Sequence, residues 1–149
     1  MEIRIRLATP EDEAGVLALI EELFESPGVR APGYTEERGR AGFKHAVHDR
    51  DADVLLAMDG ERVVGLASVY ADILSIRYGP RCWLQDLVVT SSHRSLGAGA
   101  KLIAAATDWA RDRGCTHLEL SSGEGRVDAH RFYRSQGMSQ SYNFSKQID

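Results

Sequence analysis

The chain opens on a two-residue alternation. Residues 2–7 (Glu-Ile-Arg-Ile-Arg-Leu) alternate charged and apolar side chains, which predicts a half-buried strand. Thr9-Pro10-Glu11-Asp12 then supplies a helix start: Thr9 can cap, Pro10 suits the first helical position, and Asp12 stands where a capping-box acid would. Val16, Leu17, Ile20, Leu23 and Phe24 recur at helical spacing and predict one apolar face. Ser26-Pro27-Gly28 breaks that helix. Residues 29–50 are polar with scattered apolar positions and predict a loop, then a second helix over 35–48. Residues 53–71 read as a hairpin: Val54-Leu55-Leu56-Ala57-Met58, a turn at Asp59-Gly60, and a returning strand over 63–70. A third strand covers 82–89.

Helical spacing resumes at 96 and runs to 113, with Leu102, Ile103, Ala106 and Ala110 on the inner face and Gly114 at the expected end. A short strand over 117–121, a short helix over 128–136 stopped by Gly137, and a closing strand over 138–146 complete the pattern. The order β-α-α-β-β-β-α-β-α-β predicts a mixed α/β fold, antiparallel at first. It turns parallel where the 96–113 helix forms the crossover between 82–89 and 117–121. No repeat or low-complexity linker interrupts the chain, so 1–149 is expected to be one domain.

Composition narrows the class without naming a function. A 43% hydrophobic and 27% charged chain is ordinary for a globular protein. No apolar run approaches the roughly 20 residues of a bilayer span. The N-terminal residues lack the apolar stretch of a signal peptide, so a cytoplasmic location and no membrane partner are expected. The net charge is -4 with both signs interspersed, which argues against a nucleic-acid partner. Cys82 and Cys115 make neither a disulfide framework nor a metal cluster and read as reduced thiols in or near the core; no metal site is expected.

The chemistry lies in Leu84-Gln85-Asp86-Leu87-Val88-Val89, then Thr90 to His93, then Arg94-Ser95-Leu96-Gly97-Ala98-Gly99-Ala100. A buried strand leads through a polar turn into a glycine-rich helix start. The first turn of a helix carries unpaired N–H groups and the positive end of the macrodipole, so it attracts phosphate oxygens. Glycines at 97 and 99 remove Cβ atoms that would hold a diphosphate away, and Arg94 can add a charged contact. The same glycines also suit close helix packing. A dinucleotide fingerprint is disfavoured, because Leu102 replaces its third glycine, and a nucleotide P-loop fails for want of Gly-Lys-Ser/Thr.

Arg94-x-x-Gly97-x-Gly99 after a Leu-Val-Val strand resembles the pyrophosphate motif of the GNAT acetyltransferases. Some 30 residues on, Asp128-Ala129-His130-Arg131-Phe132-Tyr133-Arg134-Ser135-Gln136-Gly137-Met138 resembles that superfamily's next motif. The likeness is loose along the chain and close over 84–146, nearest to the small-molecule branch that includes aminoalkylphosphonate acetyltransferases. It implies a central mixed sheet of six to seven strands flanked by four helices. It also implies acetyl-CoA as cosubstrate, a small-molecule amine acceptor, and a homodimer. Backbone groups of Leu87, Val88 and Val89 would pair with the pantetheine arm, although they read equally as core strand. N–H groups of Arg94, Ser95, Leu96, Gly97, Ala98, Gly99 and Ala100 would hold the diphosphate.

The implied reaction is direct attack of a neutral amine on the thioester. An alkyl amine of pKa near 10.4 is only about 0.04% neutral at pH 7, so a base helps. Asp86 occupies the family's frequent acidic position; it is either the base or a carboxylate that orients substrate or structure. Tyr133 matches the usual general acid toward the departing sulfur, or else packs. Arg126 stands where many relatives carry Asn; it would meet the cofactor, an anionic substrate group, or solvent.

The remaining candidates are weaker. His45 and His48 read as a solvated helix face, and His93 and His130 as polar surface contacts near the cofactor. Trp83 and Trp109 read as core or interface aromatics. Arg30, Arg38, Arg77 and Arg81 could favour an anionic amine or be solvated charges. Beside the catalytic expectation stand an acetyl-CoA-binding sensor without turnover and, disfavoured by motif spacing, an NAD-dependent oxidoreductase.

Overall fold

The computed structural model describes residues 2–25 and 27–148. The opening alternation forms β1 (Ile3–Leu7), and the Thr9-Pro10 signal forms a single 3-10 turn over Pro10–Asp12 that leads into α1 (Glu13–Leu23). The Asp12 carboxylate accepts the Thr9 N–H at 2.8 Å, the reciprocal half of the expected capping box. Of the expected break at 26–28, Ser26 lies outside the described residues. α2 (Glu36–His48) starts where Thr35 accepts the Arg38 N–H at 3.1 Å. β2 (Ala52–Asp59) and β3 (Arg62–Ser75) form the hairpin, with Gly60-Glu61 as its turn rather than Asp59-Gly60. Asp59 pairs with Arg62 and so belongs to the ladder. β4 (Gly79–Val89), α3 (Ala98–Asp112), β5 (Leu118–Glu119) and α4 (Val127–Ser135) follow.

The sheet runs β1-β2-β3-β4-β5, antiparallel except for the β4–β5 pair that α3 bridges. The mixed α/β class with four helices holds. Five strands are hydrogen-bonded among the described residues, where the resemblance implied six to seven. The expected closing strand over 138–146 does not form. β5 is two residues long and offers almost no ladder to extend, and the segment is rich in Ser, Gln and Asn, which are poor strand formers. Residues 145–148 instead line a shallow hollow with Pro32, Gly33 and Arg38.

Two apolar clusters sandwich the sheet. One face carries Leu102, Ile103, Ala106, Trp109 and Ala110 of α3 over Val69, Cys82 and Leu84. The other carries Val16 and Leu19 of α1 and Phe43 of α2 over Leu56, Leu66 and Val88. Trp109 is a core aromatic as expected, and its indole N–H donates to Asp53 at 2.8 Å. Both cysteines are free, and burial pushes the Cys82 thiol up to about 12, so it stays protonated. No helix among the described residues is long and apolar enough to cross a membrane.

Candidate active site

β4 carries the decisive irregularity. Ser68 pairs with Asp86, but the next β3 residue, Val69, pairs with Leu84, so Gln85 is an extra residue on β4. Cys82 and Leu84 pack toward α3 before it, Leu87 and Val89 after it. The bulge therefore turns Asp86 and Val88 onto the α1/α2 face, where Asp86 sits opposite buried Ser68. The Ser68 hydroxyl donates to the Asp86 carboxylate at 2.9 Å and accepts the Asp86 N–H at 3.0 Å. Burial raises the Asp86 pKa, and the Ser68 hydrogen bond opposes the rise. Tyr70 and Trp83 pair next along this strand pair, setting two aromatic rings beside the carboxylate.

The same bulge changes which backbone groups face β5. Cys82 N–H donates to His117 C=O, and the ladder ends at the Trp83–Glu119 pair. Beyond the bulge, Thr90 N–H donates to Val64 C=O, which fixes 86, 88 and 90 toward β3. Leu87 and Val89 therefore present their peptide groups to the open side of the strand. No β4–β5 pair follows Trp83–Glu119 among the described residues, so these amide donors and acceptors line an edge without a strand partner. Val88, expected to help bind the coenzyme arm, points its backbone to β3 and its side chain into the core.

The turn after β4 is a second row of open amides. Ser91–His93 forms a 3-10 turn, Ser95 adopts φ +64° and Gly97 φ +90°, and α3 begins at Ala98 rather than at 96. Arg94 to Leu96 thus precede the helix, with Gly97 as its N-cap. A Cβ on Gly97 would meet nothing within 4 Å, so its left-handed backbone, not crowding, requires glycine. A Cβ on Gly99 would lie 3.1 Å from the Phe132 ring; this glycine serves helix packing, the second of the two roles its spacing allowed. Arg94 folds back, its Nε donating to Val89 C=O at 3.0 Å, so at that edge only the Val89 N–H is without this contact.

α4 sets the remaining group. Phe132 seats it on α3, and burial raises the Tyr133 phenol while the nearby Arg126 charge pulls it down. Net, Tyr133 is a protonated donor at neutral pH. Arg126, the α4 N-cap residue, donates to Leu23 C=O at 2.7 Å and clasps the end of α1 instead of facing solvent.

The Acetyltransferase (GNAT) family model matches residues 16–138. The chain is a member of the GNAT acetyltransferase family. GNAT proteins bind acetyl-CoA, and this member is an acetyltransferase. The aminoalkylphosphonate N-acetyltransferase of Salmonella typhimurium is 33% identical over 148 residues, covering 97% of this chain and 90% of that protein. The uncharacterized N-acetyltransferase YhdJ of Bacillus subtilis is 46% identical over 77 residues, 50% of this chain; the match spans 54% of YhdJ's own length. The structure of AAC(6')-Iy in complex with the bisubstrate analogue CoA-S-monomethyl-acetylneamine superposes with a TM-score of 0.84 at 16% identity, covering 100% of this chain and 99% of that one, which is a likeness of fold.

Three residues that hold this strand and turn in place escaped the sequence reading: Ser68, Glu22 and Asp59. Ser68 had a signal, being the polar residue in the otherwise apolar run 63–69. Glu22 looked like a surface acid of α1, yet it accepts the Thr90 hydroxyl at 2.7 Å and the Ser91 N–H at 3.2 Å. His93, expected on the surface, is 7% exposed. His130 behaves as expected, bonding Gly123 C=O at 2.8 Å from an exposed position. Of the arginines expected to favour an anionic amine, Arg30 pairs with Glu21, Arg38 donates to Gly33 C=O, and Arg81 pairs with Glu119. Arg77 stacks on Tyr78 with 4.4 Å to the ring centroid.

Proposed function

We propose that this chain transfers the acetyl group of acetyl-CoA directly to the primary amine of a small molecule. The single observation behind this is the one-residue bulge at Gln85, which gives β4 a carboxylate on one face and an unpaired amide edge at its rim. The residues present suit the cosubstrate. Leu87 offers an N–H and a C=O to an amide-bearing arm, Val89 an N–H, and the open turn from Ser95 to Gly99 offers amides to a diphosphate. Acetyl-CoA supplies the acyl group as a thioester.

Asp86, with its pKa raised by burial, is a stronger base than an exposed carboxylate and takes the proton that the attacking amine nitrogen loses. The new C–N bond forms as the C–S bond breaks. Tyr133 donates a hydrogen bond to the sulfur as negative charge develops there. Its raised pKa favours hydrogen-bond donation over full proton transfer, which is uphill from phenol to thiol by roughly 2 kcal/mol even at ordinary values. Tyr70 and Trp83 give the acceptor's carbon chain an apolar wall. An anionic acceptor is not favoured, since three of the four arginines proposed to attract one are already held by other groups. A single domain, a cytoplasmic location, the absence of a nucleic-acid partner and a homodimer belong to the same proposal; the exposed aromatic side chains of Tyr142 and Phe144 support the dimer.

Thermal shift with acetyl-CoA, then thiol release against a panel of small amines, tests the reading. Stabilisation with amine-dependent release of free CoA is expected. Absence of stabilisation by acetyl-CoA refutes it.

A further inference from the structure

Three polar side chains, Ser68, Thr90 and His93, are buried among the described residues, and each hydrogen-bonds a carboxylate. Ser68 holds Asp86, Thr90 meets Glu22, and His93 meets Asp59. The last two lie at the two ends of the turn that joins β4 to the open amides before α3. Burying such groups is costly unless their partners are placed to receive them, so the turn is fixed more firmly than packing alone requires.

We infer that His93 is a positioning residue for the coenzyme, its ring latching the diphosphate-binding turn to the β2–β3 hairpin through Asp59. The inference rests on the proposed function, since it assigns work to a loop read there as a diphosphate site. Both ring nitrogens are engaged: Nε2 lies 2.9 Å from Asp59 Oδ2 and Nδ1 lies 2.7 Å from Ser92 Oγ. The ring therefore ties the turn both to the last residue of β2 and to its own preceding residue. Two positions further on, Ser95 holds φ +64°, a conformation unfavourable for a non-glycine residue unless its surroundings impose it. The clamp at His93 and the helix start at Ala98 bracket that strained step. They also bracket the amides from Arg94 to Gly97. Glu22 secures the opposite end of the turn from α1, so freeing His93 lets the amide row move without unseating β4.

The latch acts on the diphosphate and not on the thioester, which separates it from a general structural role. The test compares acetyl-CoA with acetyl-pantetheine, which carries the reacting thioester but no diphosphate. In His93→Ala and in Asp59→Ala, KM for acetyl-CoA should rise about tenfold, the loss of one hydrogen bond to a charged group. The value of kcat at saturating acetyl-CoA and kcat/KM for acetyl-pantetheine should stay within about twofold of wild type. The double variant should be no worse than either single one, because both break one contact. His93→Gln, whose amide can donate near the Nε2 position, should recover most of the affinity. Asp59 is a half-exposed side chain and carries the test if His93→Ala folds poorly. Equal losses with both thioesters, or an unchanged preference for acetyl-CoA, overturn the latch. A wild-type enzyme that uses the two thioesters alike overturns the diphosphate site itself, and the latch with it.

Discussion

Replacing Ser68 by Ala is the sharpest probe of the site, because its hydroxyl offsets the effect of burial on the Asp86 carboxylate. That hydroxyl donates to the carboxylate at 2.9 Å and is itself buried. Burial raises the Asp86 pKa and this hydrogen bond is the contribution that lowers it. A hydrogen bond to a charged group contributes about 1.5–3 kcal/mol, and 1.36 kcal/mol corresponds to one pKa unit. Ser68→Ala should therefore raise the Asp86 pKa further. A base works only when ionised, so the acidic limb of the kcat/KM profile should move to higher pH by the same amount. Above that limb the variant should keep most of its activity. The variant also loses the hydroxyl that accepts the Asp86 N–H, which should lower stability by about 1 kcal/mol. Thiol release followed between pH 5 and 9 measures the limb, and thermal melts measure the stability. A variant that melts earlier while its acidic limb stays in place refutes Asp86 as the base and leaves Ser68 a purely structural residue.

Asp86→Asn should nearly abolish turnover yet raise the melting temperature at neutral pH. A carboxyl whose folded pKa is raised stabilises the fold below its unfolded pKa and loses that contribution as pH climbs through the folded value, and Asn avoids the loss. Melts at pH 4 and pH 7 check the sign. Tyr133→Phe should reduce kcat by about 100-fold with acetyl-CoA affinity nearly intact, measured by turnover beside calorimetry; unchanged turnover retires the donor role. Asp12, held at about 2 chiefly by its hydrogen bond to Arg6, should make the fold acid-sensitive. The shift from 3.8 to about 2 corresponds to ~2.4 kcal/mol at face value, and with the Arg6 side chain 43% exposed, screening reduces it to ~1 kcal/mol. That contribution is present above pH ~4 and fades as pH falls toward 2, so the stability gap between wild type and Asp12→Asn should close over that window in acid denaturation curves.

Elements with a strong internal period were legible in the sequence. The α3 face, Leu102 through Ala110, is buried as its spacing required, and α2 runs Glu36–His48 against the expected 35–48. What escaped was non-local. The bulge at Gln85 leaves no local mark in Leu84-Gln85-Asp86, because it exists only in register against β3. His93 read as a surface contact and Arg126 as a cofactor, substrate or solvent contact, because their partners, Asp59 and the Leu23 carbonyl, are 34 and 103 residues away. The closing strand failed for the converse reason: the apolar positions of 138–146 are present, but β5 supplies no edge for them. Gly97 and Gly99, alike in sequence, separate only in space, one by its dihedral and the other by a neighbouring ring.

The extra residue in β4 also bears on how this protein tolerates change. Gln85 acts as a spacer whose identity matters less than its existence, since its exposed side chain bonds the Trp83 indole outside the core. Exchanging it for another residue alters the rim and leaves the frame intact. Removing the codon altogether would leave Val69–Leu84 and Ser68–Asp86 as consecutive pairs, so Asp86, Leu87 and Val89 would keep their faces while β4 lost the local bend and twist that a bulge imposes. A directed-evolution library built on this scaffold can therefore randomise position 85 freely, whereas deleting it straightens β4 and asks whether the open edge beyond Trp83 depends on that bend.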